Sequence, residues 1–160
     1  VAQSIADKVA TFAAGDPDWQ IADVLNAPDA AVNGTKTVDA AVSDARAILM
    51  TSGGWGKIVL IAEGALSPVS DPQQALGLRA LCITVRDAHL NLTSLKMTDP
   101  VTAAAINDMV DSLLGATLID RKTHDALLAL GTVPASWADM NNASVPVTAR
   151  DVGLARGAVA

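Results

Sequence analysis

Ser70-Asp71-Pro72-Gln73-Gln74-Ala75-Leu76-Gly77-Leu78-Arg79-Ala80-Leu81-Cys82-Ile83-Thr84-Val85-Arg86-Asp87-Ala88-His89 is the stretch that decides the fold class. It opens with an aspartate before a proline. The carboxylate accepts from a free N–H of the first helical turn, and proline, which has no N–H to lose, fits the first helical position. Behind this start Ala75, Leu78, Cys82, Val85 and His89 recur at helical spacing and Leu81 widens the stripe, so a helix is predicted from Pro72 to about His89. Arg79 and Arg86, seven apart, project on a similar side, towards carboxylates or a partner.

The same punctuation recurs on both sides. Thr98-Asp99-Pro100 opens a helix through Ile106, Met109, Val110, Leu113 and Leu114 to Gly115, and Asp120 caps another through Ala126, Leu127, Leu128 and Leu130 to Gly131. These two are close enough in sequence to pack as an antiparallel hairpin. Upstream, Ile5, Val9 and Phe12 mark a first helix with Gly15 as its left-handed stop, and Asp16-Pro17-Asp18 caps and opens a second through Trp19, Ile21, Val24 and Leu25. Thr37 reads as the cap of a stripe from Val38 to Leu49 that breaks at Ser52-Gly53-Gly54. The apolar run Trp55 to Glu63 fits a buried helix or a buried strand; helix is favoured because no partner strand is evident. Ser136 caps a turn carrying Trp137 and Met140, and Thr148-Ala149-Arg150-Asp151 has capping-box form before a last helix that frays from about 157. Asn33-Gly34 among β-branched neighbours suggests a small hairpin or extended loop at 31–38. The expectation is an all-α fold, one compact domain over 1–160 built from six to eight short helices.

Composition agrees. Of 160 residues 51% are hydrophobic, yet the rings are only Phe12, Trp19, Trp55 and Trp137, while 31 residues are alanine. Small side chains favour closely packed helices over a β-sandwich. Sixteen aspartates against the lone Glu63 suit many capped helices, since aspartate prefers N-caps to helix interiors. A net charge of −6 and so few rings argue against direct nucleic-acid binding. The first residues carry Asp7 and Lys8 and no long apolar run, and the longest uncharged apolar stretch, Ile58 to Ala62, is far below the roughly 20 residues of a membrane span. A soluble chain made in the cytoplasm, with no membrane partner, is expected.

Chemistry-bearing patterns are sparse. Cys82 is the single cysteine, so neither an intramolecular disulfide nor a CxxC zinc site can form. It lies seven residues before His89, roughly 10 Å along a helix, too far for a nucleophile and its base. His89 reads as a helix-end cap or a half-buried side chain. His124 adjoins Asp125, but helical neighbours face apart, which argues against a catalytic pair. Asp16 and Asp18 read as caps, and Asp108 and Asp111 as a solvated helix face. No phosphate-binding glycine loop, nucleophile elbow or paired-histidine zinc motif is present. No catalytic, cofactor-binding or metal-binding residue is therefore expected, and no cofactor. Trp19 reads as core. Trp55 and Trp137, beside glycine and proline, read as either core or loop-borne partner anchors, and Arg150 and Arg156 as added contacts to acidic groups of the partner or as charges that balance the helix dipole.

Several strings, in order, resemble small proteins encoded in the structural regions of tailed bacteriophages. They are Asp23-Val24-Leu25-Asn26, Gly54-Trp55-Gly56-Lys57-Ile58, Leu78-Arg79-Ala80-Leu81-Cys82-Ile83-Thr84-Val85-Arg86-Asp87, Ala126-Leu127-Leu128-Ala129-Leu130-Gly131 with Pro134-Ala135-Ser136, and Val147-Thr148-Ala149-Arg150-Asp151-Val152. Where such phage proteins often have Arg-Ala-Glu after the serine, this chain has Trp137-Ala138-Asp139. The resemblance implies a non-enzymatic virion component, a tail-associated adaptor or fibre-attachment protein. It would be assembled in the host bacterial cytoplasm and repeated by particle symmetry, with tail tube, nozzle or fibre proteins as partners. A head decoration or cementing protein is the neighbouring alternative, and a small hydrolase or lysis factor built around His89 or His124 the alternative of another class.

Overall fold

The computed structural model describes residues 3–143 and 146–159, with the side chains of 158 and 159 outside the description. The fold is mainly helical, with ten helices and two small two-stranded sheets among the described residues, against the six to eight helices and the small hairpin or extended loop at 31–38 expected. The chain read as one domain divides into two compact units, Val1–Lys36 with Val133–Ala160, and Thr37–Thr132. Each unit has its own buried cluster.

The first unit starts with α1 (Ile5–Val9), opened by a reciprocal box in which the Asp7 N–H donates to Ser4 Oγ and the Ser4 N–H to the Asp7 carboxylate. α1 stops at Val9, short of the expected length. In α2 (Asp18–Asn26) Pro17 takes the cap position with no side-chain bond, because Asp16 instead accepts from the Ala13 N–H upstream. Gly15, the expected left-handed stop, is not among the residues with positive φ. Asp29 caps α3 (Ala30–Asn33) by accepting from Ala31 and Val32. β1 (Thr35–Thr37) follows.

The Thr37–Thr132 unit begins with β2 (Ala40–Ala41) and α4 (Val42–Thr51). The helix predicted from Val38, with Thr37 as its cap, starts four residues late. Asp39 accepts from the Thr98 N–H, the Thr98 hydroxyl and Lys96, Ala40 and Ala41 pair with Leu95 and Ser94, and the Val42 N–H donates to the Thr93 carbonyl. These distant bonds outcompete local helix propensity. Gly53, at φ 77°, turns the chain into α5 (Gly54–Ala62), so the run from Trp55 is helical as favoured. Gly54 is buried: a Cβ there would lie 3.1 Å from Ile119 Cγ2 and 3.3 Å from the Leu118 carbonyl oxygen.

α6 (Pro72–Asn91) and α7 (Pro100–Gly115) begin as read, with Asp71 accepting from Gln74 and Asp99 from Thr102, and β3 (Ser94–Leu95) lies between them. α8 (Arg121–Ala129) is capped by Asp120, which accepts from Thr123. α5 packs chiefly on α6, α4 on α5 and α8, and α7 on α8. Leu49, Ile58, Ile61, Cys82, Val85 and Leu113 are the heart of this core. Leu78 and Leu81 are only half-buried, packed against it.

The chain returns to the first unit through β4 (Thr132–Pro134), which pairs with β1, so β1 and β2 form no hairpin with each other. α9 (Trp137–Met140) carries the second reciprocal box, Ser136 with Asp139. α10 (Ala149–Val159) carries the third, Thr148 with Asp151, and its helix continues past Gly157 to Val159. α10 packs on α1 and α2, and α2 on α9, burying Val9, Ile21, Leu25, Trp137 and Val152 together. No helix among the described residues is long and apolar enough to cross a membrane.

Candidate functional site

The four side chains expected at a partner surface have different surroundings. Trp137 is 8% exposed, opens α9 inside the core of its unit, and points its indole Nε1–H at Gln3 Oε1, 3.4 Å away. It is a core residue on a helix, not a loop-borne anchor. Arg156 in the last turn of α10 donates to Asp18 at 2.6 Å and to the carbonyls of Asp16 and Ala13 at 2.6 and 3.3 Å. It ties α10 to the first residue of α2 and to the segment before it. Arg150 is exposed at the opposite end of α10. Trp19, expected in the core, is 62% exposed: the inward stripe of α2 is Ile21, Ala22 and Leu25, and a residue two before Ile21 points elsewhere.

Trp55, in the first turn of α5, is half-buried rather than on a loop. The Arg46 guanidinium of α4 lies over its ring, 5.6 Å from the centroid, and the His89 ring of α6 lies at 5.2 Å, tilted by 46°. Cation–ring attraction and ring packing thus join three helices at one point. His89 is buried, with Nδ1 2.8 Å from the Val85 carbonyl oxygen. A carbonyl can only accept, so the proton sits on Nδ1 and Nε2 is left as an acceptor. Burial holds this histidine below its ordinary range, and the Arg46 charge acts in the same direction, against the pull of the Val85 carbonyl; the ring is neutral at pH 7. His89 Nε2 and Arg46 Nε are both buried without a hydrogen-bond partner.

His89 also forms part of the wall of a cavity of about 320 Å³ within the same unit. Ala45 and Leu49 of α4, Val85 of α6, Ile106 and Leu113 of α7 and Leu127 of α8 line it. Its polar lining residues are His89, Ser94, Lys96 and Thr102.

The third feature was misread in the sequence. His124 of α8 is buried between two carboxylates, with Nε2 2.7 Å from Asp111 of α7 and Nδ1 2.8 Å from Asp125. Cβ directions of helical neighbours diverge, but a one-residue side-chain bond still closes here. Asp111 first, then Asp125, hold the imidazole above its ordinary range, since both stabilise the imidazolium. In the imidazolium form both ring N–H groups donate to carboxylates, so the arrangement clamps α7 to α8. The signal available in the sequence was Asp111 on a helix expected to lie beside the helix of His124. Cys82 is fully buried, and burial pushes its thiol up to about 11, which keeps it protonated at pH 7. Among the described residues no three or more histidine, cysteine, aspartate or glutamate side chains gather where they could hold a metal ion.

Comparison of the chain with protein-family models, with curated proteins and with solved structures gives no match.

Proposed function

We propose that this chain is a non-enzymatic structural component of a tailed-phage particle, a tail-associated adaptor or fibre-attachment protein. The observation that carries this reading is the ordered set of phage-like strings from Asp23 to Val152, which spans most of the chain. Side-chain caps on successive helices suit a stiff connecting part, each cap contributing about 1 kcal/mol. Both histidines have structural work: one is buried and neutral in a three-helix stack, the other clamped by two carboxylates. The contact surface of this adaptor includes Trp19, a large exposed ring on α2, in place of Trp137.

Mass spectrometry of purified particles tests the reading, together with location of the chain in a particle map. Stoichiometric presence in the tail is expected; absence from washed particles removes the proposal. Trp19→Ala is expected to fold normally and to lower incorporation.

A further inference from the structure

From the cavity of the Thr37–Thr132 unit we infer a binding site for an uncharged aliphatic molecule, an inference that stands apart from the virion reading. The cavity, about 320 Å³, is roughly twice the approximately 150 Å³ that suffices for benzene in an apolar protein interior. Its inner wall is formed by Leu49, Val85 and Leu113, each at most 2% exposed. Such walls offer dispersion contacts and nothing to hydrogen-bond, which selects an alkyl chain.

The polar lining residues decide the head group. Ser94, Lys96 and Thr102 come from β3, the residue after it and the first turn of α7, beside the exposed Leu92, so they mark the mouth. Lys96 is already held by Asp39 at 2.9 Å, and Thr102 donates its N–H, at 2.9 Å, and its hydroxyl to Asp99. The charged residue of the lining, Lys96, is thus already paired with Asp39, and Asp99 stands behind Thr102. An anionic head would have to compete with Asp39 for Lys96, and the neutral His89 on the wall supplies no compensating charge. A neutral hydroxyl head has Ser94 as a partner at no electrostatic cost.

The probes are octan-1-ol and octanoate added to the full chain at pH 7.5, followed by methyl NMR. Octanol is expected to give saturable shifts and contacts from its chain protons to the methyls of Leu49, Val85 and Leu113, and octanoate to bind at least tenfold more weakly. Ala105→Trp, at an exposed wall position on α7, is expected to keep the fold and weaken octanol at least tenfold. Absence of inner-wall contacts in the wild-type chain, or equal binding of the two probes, overturns the inference. So does full octanol affinity in a folded Ala105→Trp. The wild-type contacts decide even where that variant fails to fold.

Discussion

Replacing Trp137 by alanine separates a core residue from a docking residue. A buried tryptophan removes about 150 to 250 Å² from water, which at roughly 25 cal/mol per Å² gives an upper estimate of about 4 to 6 kcal/mol. Measured Trp→Ala losses in cores run at about 3 to 5 kcal/mol. The bond to Gln3, at 3.4 Å, is long and adds little to this. With 8% of the residue exposed and Val9, Ile21 and Val152 in the same cluster, a loss of about 3 to 5 kcal/mol is expected for Trp137→Ala. That is a large share of the roughly 5 to 15 kcal/mol of a whole domain. The assay is urea unfolding followed by far-UV circular dichroism, with methyl NMR of Leu25 and Val152 reporting the unit that holds the tryptophan. Trp19→Ala is the control and should stay within about 0.5 kcal/mol of the parent, since an exposed ring gives up little packing. A loss under about 1 kcal/mol for Trp137→Ala, with helical content kept, would refute the core assignment.

Further expectations concern backbone and charge. Gly54→Ala should cost about 1 kcal/mol, because the new methyl meets Ile119 and the Leu118 carbonyl, both on buried residues, and overpacking outweighs the gain in helix propensity; equal or higher urea midpoints would contradict it. Thr117 stands at φ 57°, where a β-branched residue is strained, so Thr117→Gly should raise stability by about 0.5 kcal/mol once glycine's larger unfolded-state entropy is offset. The clamp on His124 stabilises the fold fully below the unfolded histidine pKa and loses that contribution as pH rises through the higher folded value; His124→Gln should flatten melting temperature against pH in that window. Asp139, drawn down to about 2 first by Lys36 and then by Ser136, acts in the opposite sense: its contribution is complete above the ordinary carboxylate range and disappears as pH falls towards 2. Asp139→Asn should remove that acid-limb dependence.

What could be read from the sequence was local. Asp71, Asp99, Asp120, Ser136 and Thr148 all cap where their spacing to the next free N–H said they would, since the bond closes within three residues. Asp16 has the same signature and fails, because an upstream N–H three residues back competes for its carboxylate. The stretch 38–41 has helical periodicity and is not helical, because Asp39, Ala40 and Ala41 are held by partners at 94–98, more than fifty residues away, which leave no local trace. Left-handed backbone was expected at Gly15 and falls instead at Gly34, Gly53, Gly64, Asn142 and Thr117. A glycine permits that conformation without requiring it.

The candidate sites obey the same division between near and far. The stripe ending at Cys82, Val85 and His89 was visible as a buried helix face, and so was the inertness of a thiol surrounded by aliphatic neighbours. What that face meets was not visible: Arg46 and Trp55 come from two other helices, and the cavity wall draws on four. Aspartate serves in both regimes. Asp120, three residues from Thr123, stabilises the start of α8, while Asp111, thirteen residues from His124, fastens α7 to α8. The first is a cap legible from spacing alone, and the second takes its meaning only when the turn at Ala116 to Ile119 has brought the helices together. The acidity of the chain is therefore not all passive solvated surface: the carboxylates at 39, 111, 120 and 139 each hold a partner in place. Losing any one of them should be felt at that partner rather than as a change in overall charge.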